Sequence, residues 1–253
     1  MDTTLPPTLS NALDRYWSGV LGCDPLQLHA QSHQIIVSGQ SPGLTALRCD
    51  THWVFSLHPQ ISPRIVDDLL PLLETQDDLA YHSEAIYAIT RNYGVAYPYG
   101  PSELVYCIRN WLQMPTPLHP FRRLTPIDTP IIEQFRFGMG GYLDWSIDES
   151  EIWLCVFGIF DGERLVATGA TRQWQETICE LYVDTLPAYR GRGYANTLGY
   201  AITRWIMHET PYIAQSGGQL TNVPSMKMSK RLGHRFYGIL LMNDLGRTEN
   251  TQS

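Results

Sequence analysis

The sequence predicts an α+β fold: a mixed, mostly antiparallel sheet flanked by helices, preceded by an additional N-terminal α/β region. Three observations predict it. From residue 121 onward, apolar runs and turn signals follow the order β-α-β-β-β-α-β-α-β. A nearly continuous apolar run, Ile152 to Phe160, ends at Asp161-Gly162, a strong hairpin signal. A glycine-rich turn, Arg190-Gly191-Arg192-Gly193-Tyr194-Ala195, joins a strand to an amphipathic helix.

The N-terminal elements are read first. Leu13, Tyr16, Trp17, Val20 and Leu21 recur at helical spacing, with Ser10 and Asn11 as candidate caps. Short strands are expected over Gln34 to Val37, Leu44 to Cys49 and Trp53 to Leu57. Ser62-Pro63 suits a helix start, with Ile65, Val66, Leu69, Leu70, Leu72 and Leu73 packing inward and a kink or early stop at Pro71. Tyr97-Pro98-Tyr99-Gly100-Pro101 reads as a loop, and a last helix is expected over Ser102 to Leu112. Pro115-Thr116-Pro117-Leu118-His119-Pro120 reads as a linker, because each proline removes a donor and disfavours helix before it. The chain therefore divides into 1–118 and 119–253.

Past the linker, Phe121 to Leu124 opens a strand and Thr129 to Phe137 a helix. Strands follow over Ile152 to Phe160, Leu165 to Thr171 and Thr177 to Val183. The helix after the glycine-rich turn places Ala195, Leu198, Ala201, Ile202, Trp205 and Ile206 on one face. Ile213 to Leu220 is a weak strand interrupted by Gly217-Gly218, Val223 to Leu232 a short helix, and Phe236 to Leu245 the last strand.

Composition bounds the function. The chain has 253 residues, 43% of them hydrophobic, a net charge of −7 and a pI near 5.6. That balance disfavours nonspecific nucleic-acid binding, which rests on Lys and Arg neutralising phosphates. Cys23, Cys49, Cys107, Cys155 and Cys179 are scattered, which suits reduced thiols in a cytoplasmic setting. No signal peptide or membrane-crossing stretch is legible. His52 and His58 would share a strand face without a third ligand, so no metal is expected.

The residues Arg190 to Ala195 carry the chemistry. The first N–H groups of a helix lack partners inside it, and the peptide dipoles add positive charge there. Gly191 and Gly193 let an anion approach the main chain closely. No Lys follows as a P-loop requires, and Asn196 stands where a dinucleotide fingerprint needs its third glycine.

Read as Arg-x-x-Gly-x-Ala from Arg190, the turn resembles the pyrophosphate loop of the GNAT superfamily of acyl-CoA-dependent N-acyltransferases. Cys179-Glu180-Leu181-Tyr182-Val183-Asp184 and Pro187-Ala188-Tyr189-Arg190 upstream resemble the strand that leads into that loop. Asn222, Ser225 and Leu232-Gly233 downstream resemble its Asn-x-x-Ala/Ser helix ending in Leu-Gly-Phe. The N-terminal region reads either as extra structure or as a degenerate GNAT-like half. It lacks a second pyrophosphate motif and would cover the substrate side or supply a subunit contact.

The resemblance implies a set of roles. Backbone groups at Tyr182 and Val183 would pair with the pantetheine arm of acetyl-CoA. Amides at Arg192, Gly193, Tyr194 and Ala195, with Arg190 and Gly191 beside them, would hold the diphosphate. Asn222 and Ser225 would line the far arm of the cofactor. The acceptor amine, of a small molecule or peptide, must lose a proton before it attacks. Glu180, sharing a face with Ile178 and Tyr182, is the candidate base, or else a surface carboxylate or a substrate-binding charge. A donor near Val183 would serve the oxyanion. The family's usual acid, a Tyr seven residues after the Asn, is Ser229 here, with Tyr237 and Tyr194 as substitutes. His234 replaces the Phe of Leu-Gly-Phe and reads first as a surface residue. Trp111, Tyr142, Trp145, Trp153 and Trp174 read as core or pocket lining. Asp144, Asp148, Glu149 and Glu151 read as a solvated loop or a lure for a cationic amine. Two functions stay open: an acetyl-CoA-dependent N-acetyltransferase, or a non-catalytic acyl-CoA sensor or scaffold.

Overall fold

The computed structural model describes residues 5–39, 41–75, 82–116, 118–141, 143, 153–174 and 177–245. In chain order the elements are α1 (Pro7–Leu21), β1 (Gln34–Val37), β2 (Gly43–Arg48), β3 (Trp53–Leu57), α2 (Arg64–Leu73), α3 (Ser83–Asn92), β4 (Val95–Cys107), β5 (Arg122–Arg123), α4 (Thr129–Gly138), β6 (Trp153–Asp161), β7 (Arg164–Trp174), β8 (Ile178–Thr185), α5 (Tyr194–Glu209), β9 (Ile213–Gln219), α6 (Val223–Arg231) and β10 (Arg235–Leu245). Two compact units form: Met1–Leu104 with Gly218–Val223 and Phe236–Ser253, and Val105–Gly217 with Pro224–Arg235.

In the first unit the strands lie in the order β1-β3-β2-β10-β4. β1 and β3 run parallel, while β2 is antiparallel to both β3 and β10. Trp53, Phe55, Leu57, Ile65, Leu69, Ile86 and Leu241 form its apolar core. Helix α1 begins at Pro7 with proline in its first turn, so Ser10 and Asn11 lie inside the helix rather than capping it. Pro71 sits in the last turn of α2, which still reaches Leu73. Leu70 and Leu72 are only partly buried.

The loop expected at Tyr97 to Pro101 and the helix expected over Ser102 to Leu112 are both replaced by strand β4, followed by a single 3-10 turn at Arg109–Trp111. The reason is two-sided burial. Leu104, Val105, Tyr106 and Cys107 are all buried, which suits an interior strand and leaves no polar helix face.

The second unit carries β9-β8-β7-β6-β5, a mixed, mostly antiparallel sheet. Only the β8–β9 pair in this series is parallel. β6 and β7 are joined through Gly162, whose φ of 60° lies in the left-handed region that the Asp161-Gly162 turn requires. Helix α5 packs on β6, β7 and β8, and α4 packs on β7. Gly169 on β7 permits that approach: a Cβ there would lie 2.5 Å from Ile202 Cδ1 and 3.0 Å from Leu198 Cβ. No helix among the described residues is long and apolar enough to cross a membrane, and no group of three or more His, Cys, Asp or Glu there could hold a metal ion.

Candidate active site

Strand β8 organises the site. Its register with β7 is unbroken from Ala167↔Thr185 to Trp174↔Ile178, so no bulge shifts Glu180 off the face it shares with Tyr182. On its other edge β8 pairs with β9 at Ile178↔Ile213, Cys179↔Ala214 and Glu180↔Gln215. The ladder ends there, although β8 continues to Thr185 and β9 to Gln219. Glu180 therefore stands where the two strands part.

Glu180 is buried, with 5% of its surface exposed. The Tyr182 hydroxyl donates to its Oε2 at 2.8 Å, and the Gln215 side chain, beside it in the β8–β9 register, favours the anion. Arg172 faces it across the β7–β8 ladder. The Trp174 indole N–H favours the anion from outside hydrogen-bonding geometry. Burial pushes the Glu180 carboxyl above the usual carboxylate range, and these partners oppose the rise without cancelling it. Trp153 meets the Tyr182 ring edge-on, 5.0 Å between centroids, so of the predicted aromatics Trp153 packs on Tyr182 and Trp174 acts on the carboxylate.

The glycine-rich turn follows β8 through a short 3-10 turn at Pro187–Tyr189. Gly191 and Gly193 have φ of 78° and 86°, which other residues reach only with strain. Helix α5 has Gly193 as its N-cap and no side-chain cap. Its first bond runs from the Thr197 N–H to the Gly193 carbonyl at 3.2 Å. The amides of Gly191 through Asn196 donate to no oxygen among the described residues. Arg190, Gly191 and Arg192 are exposed. Arg190 Nε donates to the Thr185 carbonyl at 3.3 Å, and the Arg192 guanidinium lies 4.7 Å from the Tyr189 ring centroid.

His119, expected to be linker, instead ties down this turn. Its Nε2 lies 2.8 Å from the Arg192 carbonyl, its main-chain N–H donates to Thr197 Oγ1 at 3.3 Å, and its ring meets Tyr194 edge-on. A carbonyl only accepts, so Nε2 carries the proton. A trans peptide points its C=O and N–H in opposite directions, so the Gly193 N–H faces away from His119.

The other expected site residues fall as follows. Ser229 is buried; its hydroxyl donates to the Ser225 carbonyl at 3.2 Å and lies 2.7 Å from Ser216 Oγ. Asn222 sits in the turn before α6, its N–H on the Gln219 carbonyl at 2.7 Å. Tyr237 belongs to the first unit, where its hydroxyl donates to Asp14 Oδ1 at 2.9 Å. Burial first, then Cys49 and Asp14, raises the Tyr237 hydroxyl far above its ordinary value. His234 is buried rather than on the surface, because it fills the apolar position that follows the left-handed Gly233. Burial pushes its imidazole down to about 4, and neither ring nitrogen has a partner among the described residues. Trp111 stacks under the Arg235 guanidinium at 3.6 Å. Tyr142, Trp145, Asp144, Asp148, Glu149 and Glu151 lie outside the described residues.

A family model described as the acetyltransferase (GNAT) family matches residues 108–234. The chain belongs to the GNAT acetyltransferase family. Its fold is similar to three solved GNAT structures. The first is an acetyltransferase from Novosphingobium aromaticivorans, with 19% identity and a TM-score of 0.45, covering 59% of this chain and 67% of that one. The second is a GNAT acetyltransferase from Colwellia psychrerythraea, with 13% identity and a TM-score of 0.47, covering 76% of each chain. The third is the ribosomal-protein-S18-alanine N-acetyltransferase of Escherichia coli, with 14% identity and a TM-score of 0.38, covering 53% of this chain and 99% of that one. No curated protein matches the sequence.

GNAT-fold proteins bind acyl-CoA, and the turn fits a diphosphate. It offers unpaired amides, an uncapped helix start, two positive-φ glycines and two exposed arginines. Sequence reasoning missed Gln215, Tyr106 and His119. Gln215 and Tyr106 gave no local signal, because Gln215 sits opposite Glu180 only through strand pairing and Tyr106 meets Gln215 from 109 residues away. His119 was hidden by the prolines around it.

Proposed function

We propose that the protein is an N-acetyltransferase that moves an acetyl group from acetyl-CoA to a primary amine by direct attack in a ternary complex. The carrying observation is one strand with two ends: β8 leaves its β9 ladder at Glu180 and leads into the unpaired amides ahead of α5. Acetyl-CoA, when bound, supplies an activated thioester. Gly191, Arg192, Gly193, Tyr194 and Ala195 would hold its diphosphate, with Arg190 beside them; Tyr182 and Val183 would hold its arm, and Ser225 would line its far side. Glu180 takes the proton of the acceptor's ammonium group, and its raised affinity for protons suits that task near neutral pH. A main-chain donor near Val183 receives the negative charge that develops.

A second reading, an acyl-CoA sensor or scaffold, has one observation in its favour. Ser229, at the position of the family's acid, already spends its proton on the Ser225 carbonyl. Tyr237 is a weaker acid still, held to Asp14. Thiol release from acetyl-CoA with a panel of amines separates the readings. Amine-dependent release that Glu180→Gln suppresses supports the enzyme. Calorimetric binding of acetyl-CoA without any release supports the sensor.

A further inference from the structure

Glu180 has a support that begins two strands away. Tyr106, near the end of β4 and fully buried, donates its hydroxyl to Gln215 Oε1 at 2.6 Å. Gln215 is itself 3% exposed and sits opposite Glu180 in the parallel β8–β9 register. An amide side chain has one accepting end and one donating end. With the oxygen occupied by Tyr106, the NH2 end is the one left to face the Glu180 carboxyl beside it in the register. The same amide flipped by half a turn would present its oxygen to a carboxylate, two acceptors facing each other.

We propose that Tyr106 is a positioning residue that locks the Gln215 amide with its NH2 toward Glu180, so that a donor and not an acceptor faces the carboxylate. The remaining groups around the carboxyl are Tyr182 on β8 and Arg172 and Trp174 on β7. Tyr182 donates a hydrogen bond, Arg172 supplies opposite charge at an exposed position, and Trp174 adds a weak dipole. The inference rests on Glu180 as the base for its functional meaning, but its physical content is testable without substrate.

The test is a carboxyl titration by NMR on the whole ligand-free chain, labelled with ¹³C at glutamate Cδ. The Glu180 signal is assigned as the one that Glu180→Gln removes. Tyr106→Phe should move its midpoint upward by about one pH unit, since a hydrogen bond to a charged group is worth about that much. Gln215→Met, which removes the donor itself, should move it at least as far and serves if Tyr106→Phe fails to fold. A midpoint that stays at the wild-type value in both variants overturns the proposal. Failure of the base assignment reads differently: Glu180→Gln would then leave amine-dependent thiol release from acetyl-CoA at the wild-type rate, whatever the titration shows.

Discussion

Two residues carry the proposed chemistry, and each yields a prediction. Glu180 is a carboxyl without a water shell, flanked by Tyr182 and Gln215. Its replacement by Gln keeps the shape and removes the proton acceptor, so thiol release should fall by about 10²–10⁴-fold. The same variant reports on stability. Burial raises the carboxyl's affinity for protons in the folded state. The stability Glu180 contributes is thus fully present below the ordinary carboxylate range and is lost as pH rises through the raised folded value. Glu180→Gln should therefore raise the melting temperature relative to wild type near neutral pH, and do so less in mild acid. Gly193 carries the second prediction. At its φ of 86° a Cβ would meet nothing nearer than His119 Nε2 at 3.6 Å, so Gly193→Ala costs backbone strain rather than a clash. Where the free turn relaxes out of that strain, roughly 1–2 kcal/mol, binding must restore it, so coenzyme A should bind about 5- to 30-fold more weakly in calorimetry. Pantetheine, which lacks the diphosphate, should bind as before. Glu180 and Gly193 were legible in the chain because their neighbours in sequence define them. Gln215 was not, since only the β8–β9 register places it opposite Glu180.

Elements show where local pattern suffices and where it fails. β6, the Asp161-Gly162 turn and β7 follow from apolar runs and a turn signal, all within one hairpin. β4 failed because its end, Leu104 to Cys107, is buried on both faces, and a short apolar run of that kind shows neither a helical nor an alternating period. The packing of α5 on β7 depends on one missing side chain. Gly169→Val would push Leu198 Cβ and Ile202 Cδ1 from positions 3.0 Å and 2.5 Å from the new Cβ. Overpacking of this kind costs about 1–3 kcal/mol, to be read as a lower midpoint in urea denaturation. The glycine-rich turn would feel it too, because the same helix begins there.

For the whole molecule, the two units carry ion pairs of opposite pH sense. In the first, His29 joins Asp50 at 2.7 Å and Asp14 at 3.3 Å. Burial disfavours its charge, but the two carboxylates outweigh this and raise its proton affinity. That contribution is present below the unfolded value of about 6.5 and fades as pH rises through the folded one. In the second, Arg122 grips Asp128 through NH2–Oδ1 at 2.7 Å and NH1–Oδ2 at 3.0 Å and holds its carboxyl below the usual range. This contribution is present above about pH 3.9 and fades as pH falls through the lower folded value. Hydrogen exchange should show amides around His29 losing protection toward alkaline pH and those around Asp128 losing it in acid, with His29→Gln abolishing only the first trend. Covalent order and side-chain type were enough to dictate the second unit's strand and helix sequence, the glycine-rich turn ahead of α5 and the family, because each arises among residues a few positions apart. Folding alone decided that β4 is a strand, that His234 is interior, that His119 braces the turn, and that Gln215 sits opposite Glu180 with Tyr106 bonded to it. Those outcomes depend on pairing and burial between segments distant along the chain, which leave no mark on local periodicity.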